Sequence, residues 1–177
     1  MNMKKTVMAS AAAALLLTGS VSAMAYDGTV KFEGEVLDAA CTVDIGAGNT
    51  MTVNMGRVNK STFTGAGSKS DPTKFTIKVK DCPSNITTAT VKFDGDAYEG
   101  DNNVLQLTQE TGVATGVGIQ LADSTQKVLP LYTASSEYPL KETVENNLDF
   151  YARYIAKSDT VTAGPANSVA TFTMNYN

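Results

Sequence analysis

The chain has 177 residues, 42% of them hydrophobic, with no histidine, no tryptophan and a formal charge of −4. Without histidine, neither a Ser-His-Asp nor a Cys-His nucleophile can be assembled. No run of five basic residues occurs, which argues against nucleic acid and against an anionic membrane surface as partners.

The first 25 residues carry the pattern of a signal peptide. "MNMKK" is a basic start, Val7 to Leu17 is an apolar run, and "SAMA" places small residues at Ala23 and Ala25. The run is too short for a bilayer, which needs about 20 apolar residues. Cleavage after Ala25 leaves a single domain of ordinary size. Lys4 and Lys5 go with the leader, so 12 basic residues (14 minus 2) face 18 acidic ones.

After the leader the pattern is period two. In "YDGTVKFEGEV", Tyr26, Gly28, Val30, Phe32 and Gly34 share one strand face, and Asp27, Thr29, Lys31, Glu33 and Glu35 share the other. Met51, Val53 and Met55 alternate with Thr52 and Asn54, and Phe75, Ile77 and Val79 alternate with Thr76 and Lys78. Val91 and Phe93 follow, then Leu105 and Leu107, then Val117, Ile119 and Leu121, then Val128 to Leu131. "SSEYPLKETVENN" is the one stretch that could hold a turn or two of helix. "LDFYARYIA" is a long strand candidate, and "VATFTMNYN" ends the chain with Ala170, Phe172, Met174 and Tyr176 on one face. Turn residues such as "GAGN", "TGAGSKSDP", "EGDNN" and "SDTVTAGPAN" separate these runs. The pattern predicts one all-β domain, an antiparallel sandwich.

Sites of chemistry are scarce. "GVGIQ" at 116–120 lacks the third glycine of a nucleotide loop and is expected to be strand. Asp94 and Asp96 open like a calcium loop, but Tyr98 and Glu99 break its ligand pattern, leaving a solvated turn. Glu33 and Glu35 are adjacent on a polar strand face, and Asn59 and Asn85 head glycosylation triplets that are common by chance. Tyr98, Tyr132 and Tyr138 are the only tyrosines away from the strand patterns and so the only candidates for a sugar platform. Cys41 and Cys82 both lie in the exported part. There one disulfide is the economical pairing, closing a loop of about 40 residues worth roughly 3–4 kcal/mol; a two-cysteine metal site is the weaker alternative. No enzyme and no cofactor is expected.

The two ends pose the remaining question. Each carries a half-apolar strand, and a strand without a neighbour exposes a row of unpaired backbone groups. Here the sequence resembles the type 1 class of chaperone–usher fimbrial (pilus) major subunits. The resemblance rests on "DGTVKFEGEVLDAAC", on Cys82 in "FTIKVKDCP", on "FYARYIA", on the penultimate Tyr176, and on Gly164, fourteenth from the end. It covers nearly the whole chain after the leader.

The resemblance implies an incomplete immunoglobulin-like β-sandwich lacking its last strand, with a disulfide between Cys41 and Cys82. It divides the chain into a signal peptide (1–25), a donor-strand extension (26–34) and a pilin domain (35–177). The donor strand would be Tyr26, Gly28, Val30, Phe32 and Gly34. The acceptor edge, also bound by the chaperone, would comprise Gly164, Ala170, Phe172, Met174 and Tyr176. Implied partners are identical subunits head-to-tail, a periplasmic chaperone, an outer-membrane usher and tip subunits, in an adhesive fimbria at the cell surface. A minor adaptor subunit and a free-standing secreted carbohydrate-binding module are the alternatives. Three donor side chains buried at roughly 1.5–3 kcal/mol each would contribute about 5–9 kcal/mol, comparable with the whole stability of a domain, about 5–15 kcal/mol.

Overall fold

The alternating runs fold into two packed sheets. The computed structural model describes residues 28–34 and 40–177, so the proposed leader and Tyr26 lie outside the described residues. The chain divides into two compact units, Met1–Val36 and Leu37–Asn177, and the second of these is the sandwich.

Among the described residues its strands are β1 (Thr42–Asp44), β2 (Thr73–Lys80), β3 (Thr88–Gly95), β4 (Ala97–Tyr98), β5 (Asp101–Leu105), β6 (Val117–Ala122), β7 (Tyr138–Pro139), β8 (Asn146–Ala156) and β9 (Ala170–Tyr176). One sheet runs β1-β2-β8-β6-β5-β4, the other β7-β3-β9. Every pairing is antiparallel.

The inward residues of each strand meet between the sheets, as period-two patterning requires. Phe150 of β8 is fully buried, stacked on Phe75 at 5.7 Å and edge-on to Phe93 at 5.1 Å, with Tyr138 at 5.3 Å. Those four rings link β2, β8, β3 and β7. Cys41 and Cys82 are bonded to each other and buried, tying the start of β1 to the end of β2. Every residue of β6 is buried. Its outward Gly118 lies against Tyr98 and Val104, and its outward Gln120 accepts both Nε and Nη2 of Arg153, at 3.1 and 2.9 Å.

Several expectations are corrected. "SSEYPLKETVENN" forms no helix: Tyr138–Pro139 is β7, and Thr143 takes a positive φ of 61°. Val128 to Leu131 makes only a single bridge, Ala122 to Val128, although Leu129 and Leu131 are buried. Asp94 lies within β3 rather than in a turn. Tyr98 and Tyr138 fall on strands, leaving Tyr132 as the exposed one of the three, at 51%.

Candidate functional site

β9 has seven residues and one partner. It pairs along its full length with β3, from Ala89 opposite Tyr176 to Gly95 opposite Ala170. Among the described residues no strand lies on its other side. Thr171, Thr173 and Asn175 are exposed, while Ala170, Phe172, Met174 and Tyr176 lean on the core and stay only half-buried. Phe172 reaches Phe93 at 6.2 Å. Partial burial raises the Tyr176 phenol above its ordinary pKa, because the ionised ring would lose water here.

This edge differs from the others. Exposed edges are normally blunted by brevity, proline or charge. β7 has two residues, one of them Pro139; β1 has three and β4 two. β9 is longer than any of these, and residues 168–177 contain neither proline nor a charged side chain.

Both ends of β9 are anchored. Asn177 donates its N–H to the Thr88 carbonyl at 2.9 Å, and its own carbonyl accepts from Thr87 and Thr88 at 2.8 and 3.0 Å. At the other end, the 157–169 segment is laced to the 106–116 segment. Thr108 donates to Asn167 O at 2.8 Å, Ala114 to Pro165 O at 2.9 Å, and Thr162 to Thr115 O at 3.2 Å. The Thr115 N–H and hydroxyl both meet the Thr162 hydroxyl at 2.9 Å, and Tyr154 donates to Ala166 O at 3.0 Å. Gly164 belongs to this strap and lies outside β9. A Cβ there would run into the backbone of Gly112, Val113 and Ala114, so the strap can approach only because residue 164 has no side chain.

A second unpaired segment stands where the pattern led one to expect a strand. Met51, Val53 and Met55 alternate half-buried with exposed Thr52 and Asn54, as the pattern predicts, yet no strand forms there. Among the described residues, 51–58 make no backbone–backbone hydrogen bond; Gly56 N–H turns instead to the Asn54 side chain at 2.9 Å. The alternation fixes which side meets the core. A ladder also needs a neighbour, and among the described residues this segment has none. Met55 and Val58 pack on the same core cluster as Phe172, Met174 and Tyr176.

The expected donor residues lie partly outside the described residues, which begin at Gly28. Residues 28–34 belong to no strand, and Val30 and Phe32 are 76% and 93% exposed. Gly28 and Gly34 have nothing within 4 Å of where a Cβ would stand.

Sequence reasoning also missed Asn146, a buried residue at the start of β8. It accepts from Lys141 N–H at 2.8 Å and donates to the carbonyls of Lys141 and Val144 at 2.9 and 3.2 Å. These bonds close the 141–145 turn that stands where helix was expected. An Asn among other polar loop residues carries no sequence signal for such a role.

The geometry is a sandwich with one long, uncharged, unprotected edge and a separate exposed apolar segment. The profile of the fimbrial protein family matches residues 30–177. The chain belongs to that family. Long polar fimbria protein A of Salmonella typhimurium is 37% identical over 98% of this chain and 97% of its own length. The type-1 fimbrial protein C chain of Escherichia coli is 43% identical over 84% of this chain and 83% of its own. A solved chaperone–usher pilus chain superposes with a TM-score of 0.63 at 25% identity, covering 85% of this chain and 95% of that one. The fold is therefore the immunoglobulin-like sandwich lacking its last strand, and the chain is an exported structural subunit that polymerises with others in a fimbria at the cell surface.

Proposed function

We propose that this fimbrial subunit is completed by strand addition, residues 26–34 of one copy lying along the outer edge of β9 in the next. The observation that carries this reading is the half-buried apolar face of β9 beside an edge with no neighbour among the described residues. Main-chain hydrogen bonds to that edge supply affinity, and alternate side chains of the added strand supply specificity. Tyr26, Val30 and Phe32 bring the apolar surface, and Gly28 and Gly34 permit close backbone approach. Residues 51–58, with free backbone and half-buried alternate side chains, offer the added strand a second neighbour. A head-to-tail contact of this kind does not close on itself and so builds a fibre.

The role is structural rather than catalytic. Before assembly the open edge needs cover, which a periplasmic chaperone supplies until an outer-membrane usher exchanges it for the next subunit; tip subunits cap the shaft. Possession of both a donor segment and an acceptor edge suits the repeating shaft position, and a minor adaptor is the alternative within the family. A sugar-binding module is disfavoured because Tyr138 is buried, its hydroxyl donating to Asp149 O at 2.8 Å, and Tyr98 is half-buried over Gly118.

The test uses the chain from Tyr26 onward with Phe32→Asp, which disables the donor and leaves the acceptor intact. Added peptide "YDGTVKFEG" should raise its melting temperature by roughly 10–30 °C, from about 5–9 kcal/mol of burial. The same peptide carrying Asp in place of Phe should not. A variant that is stable, monomeric and indifferent to the peptide would mean that the sandwich is complete as it stands.

A further inference from the structure

Every methionine after the proposed leader, Met51, Met55 and Met174, stands on one of two segments that fall short of full backbone pairing among the described residues: 51–58, which makes no backbone–backbone hydrogen bond, and β9, which is paired on one side only. All three are half-buried. The fully buried core is built instead from Leu, Ile, Val, Ala, Phe, Tyr and the disulfide, with no methionine. Methionine is unbranched and adaptable, which suits a surface that must fit an incoming strand. Its thioether is also oxidised readily where an oxidant can reach it, and here the sulfur-bearing side chains are only half-buried.

We propose that Met55 and Met174, with Met51, are oxidation-sensitive positions whose sulfoxides close the acceptor edge of a free subunit. The inference rests on the strand-addition reading above. The oxidant is a peroxide or a hypohalous acid. With hydrogen peroxide, the sulfur lone pair attacks one peroxide oxygen, the O–O bond breaks, and the other oxygen leaves as hydroxide, which takes the proton of the transferred oxygen and becomes water. Sulfur loses two electrons, the peroxide gains them, and an S–O bond remains. The sulfoxide is polar and chiral where an apolar side chain is needed, and against an added strand its oxygen would be buried without a donor. An added strand covers the thioethers, so the fibre is protected and the free subunit is vulnerable.

The experiment uses the Phe32→Asp chain from Tyr26 onward, with fluorescent "YDGTVKFEG" as the probe. Binding is measured before and after hydrogen peroxide, and sulfoxides are located by peptide mass spectrometry. Oxidation at residues 55 and 174 should weaken binding at least tenfold, peptide bound beforehand should suppress it, and methionine sulfoxide reductase should restore affinity. A chain with M51L, M55L and M174L should bind before and after treatment alike. Sulfoxides at these positions with unchanged binding, no oxidation of them in the free chain, or failure of the reductase to restore binding would overturn the proposal. Absence of peptide binding before any peroxide would instead sink the strand-addition reading, and this inference with it.

Discussion

β8 and β9 carry the same kind of sequence and end up in different states. Both alternate apolar and polar residues, and both face the same core. β8 lies between β2 and β6, so Leu148 and Phe150 fall to 1% and 0% exposure. β9 lies beside β3 alone, and its four apolar residues remain half-buried. Side chains on a sheet face are covered by the opposite layer and also by same-face residues of the strands on either side. Removing one neighbour therefore strips cover from every inward residue of a strand at once. The pattern decides which face turns inward; the number of neighbours decides how far burial goes.

The contrast can be tested most strongly at its two phenylalanines. Phe150→Ala removes a ring packed against Phe75, Phe93 and Tyr138 and should cost about 3–5 kcal/mol. Phe172→Ala, in a chain whose proposed donor is disabled by Phe32→Asp, should cost less, about 1–3 kcal/mol, since that ring is only half-buried. Chemical denaturation of both variants measures the difference. Equal costs would show that β9 is buried as deeply as β8 and would erase the distinction. With donor peptide bound, the cost of Phe172→Ala should rise toward that of Phe150→Ala.

What could be read in the sequence follows the same division. The strands over 75–79, 117–121, 148–156 and 170–176 were legible because period two reports the core-facing side of any extended segment. Ladders are a property of pairs, and a pair brings together residues far apart in sequence. Thus Met51–Met55 has the burial alternation of a strand without being one, and Val128–Leu131 buries two leucines with a single bridge. The β1-β2-β8-β6-β5-β4 order is likewise invisible to a local pattern. The expected acceptor residues Ala170, Phe172, Met174 and Tyr176 do share one face of one edge strand, because their spacing alone requires it. Gly164 does not share that strand, and its close approach to 112–114 depends on two segments some fifty residues apart.

Gly164 gives a sharper, smaller test of how β9 is held. A methyl group at 164 meets backbone atoms of Gly112, Val113 and Ala114, which cannot rotate aside as a side chain would. Gly164→Ala should destabilise the domain by about 1–3 kcal/mol. Hydrogen exchange should speed up at the Thr108, Ala114 and Thr162 amides, which lace the strap, while amides of β2 and β8 stay protected. Uniform loss of protection across both sheets would mean that the strap is part of the global fold rather than a local anchor for β9.

The smallest effect concerns charge just beyond the end of β8. Lys157 follows its last residue and donates to Asp101 at 2.7 Å, while Asn103 donates its N–H and its side-chain amide to the same carboxylate at 3.0 and 2.8 Å. The Lys157 hydrogen bond, then those from Asn103, lower the Asp101 pKa from 3.8 to about 2. A carboxyl that is depressed on folding adds stability above its unfolded pKa and loses it as pH falls through the folded value. The contribution is therefore complete above about pH 4 and fades toward pH 2, and at a partly exposed site it amounts to roughly 1 kcal/mol after solvent screening. The stability difference between the native chain and Asp101→Asn should shrink by that amount as pH is lowered from 5 to 2. β9 itself carries no carboxylate or cation: between Ser168 and Asn177 the one titratable side chain is the Tyr176 phenol, whose pKa is raised from 10. Occupancy of the proposed acceptor edge by a peptide with Asn at 27 and Gln at 33 should accordingly stay flat over the same range. A pH dependence there equal to that of Asp101 would show that the open edge responds to charge after all, and not to apolar cover and backbone pairing alone.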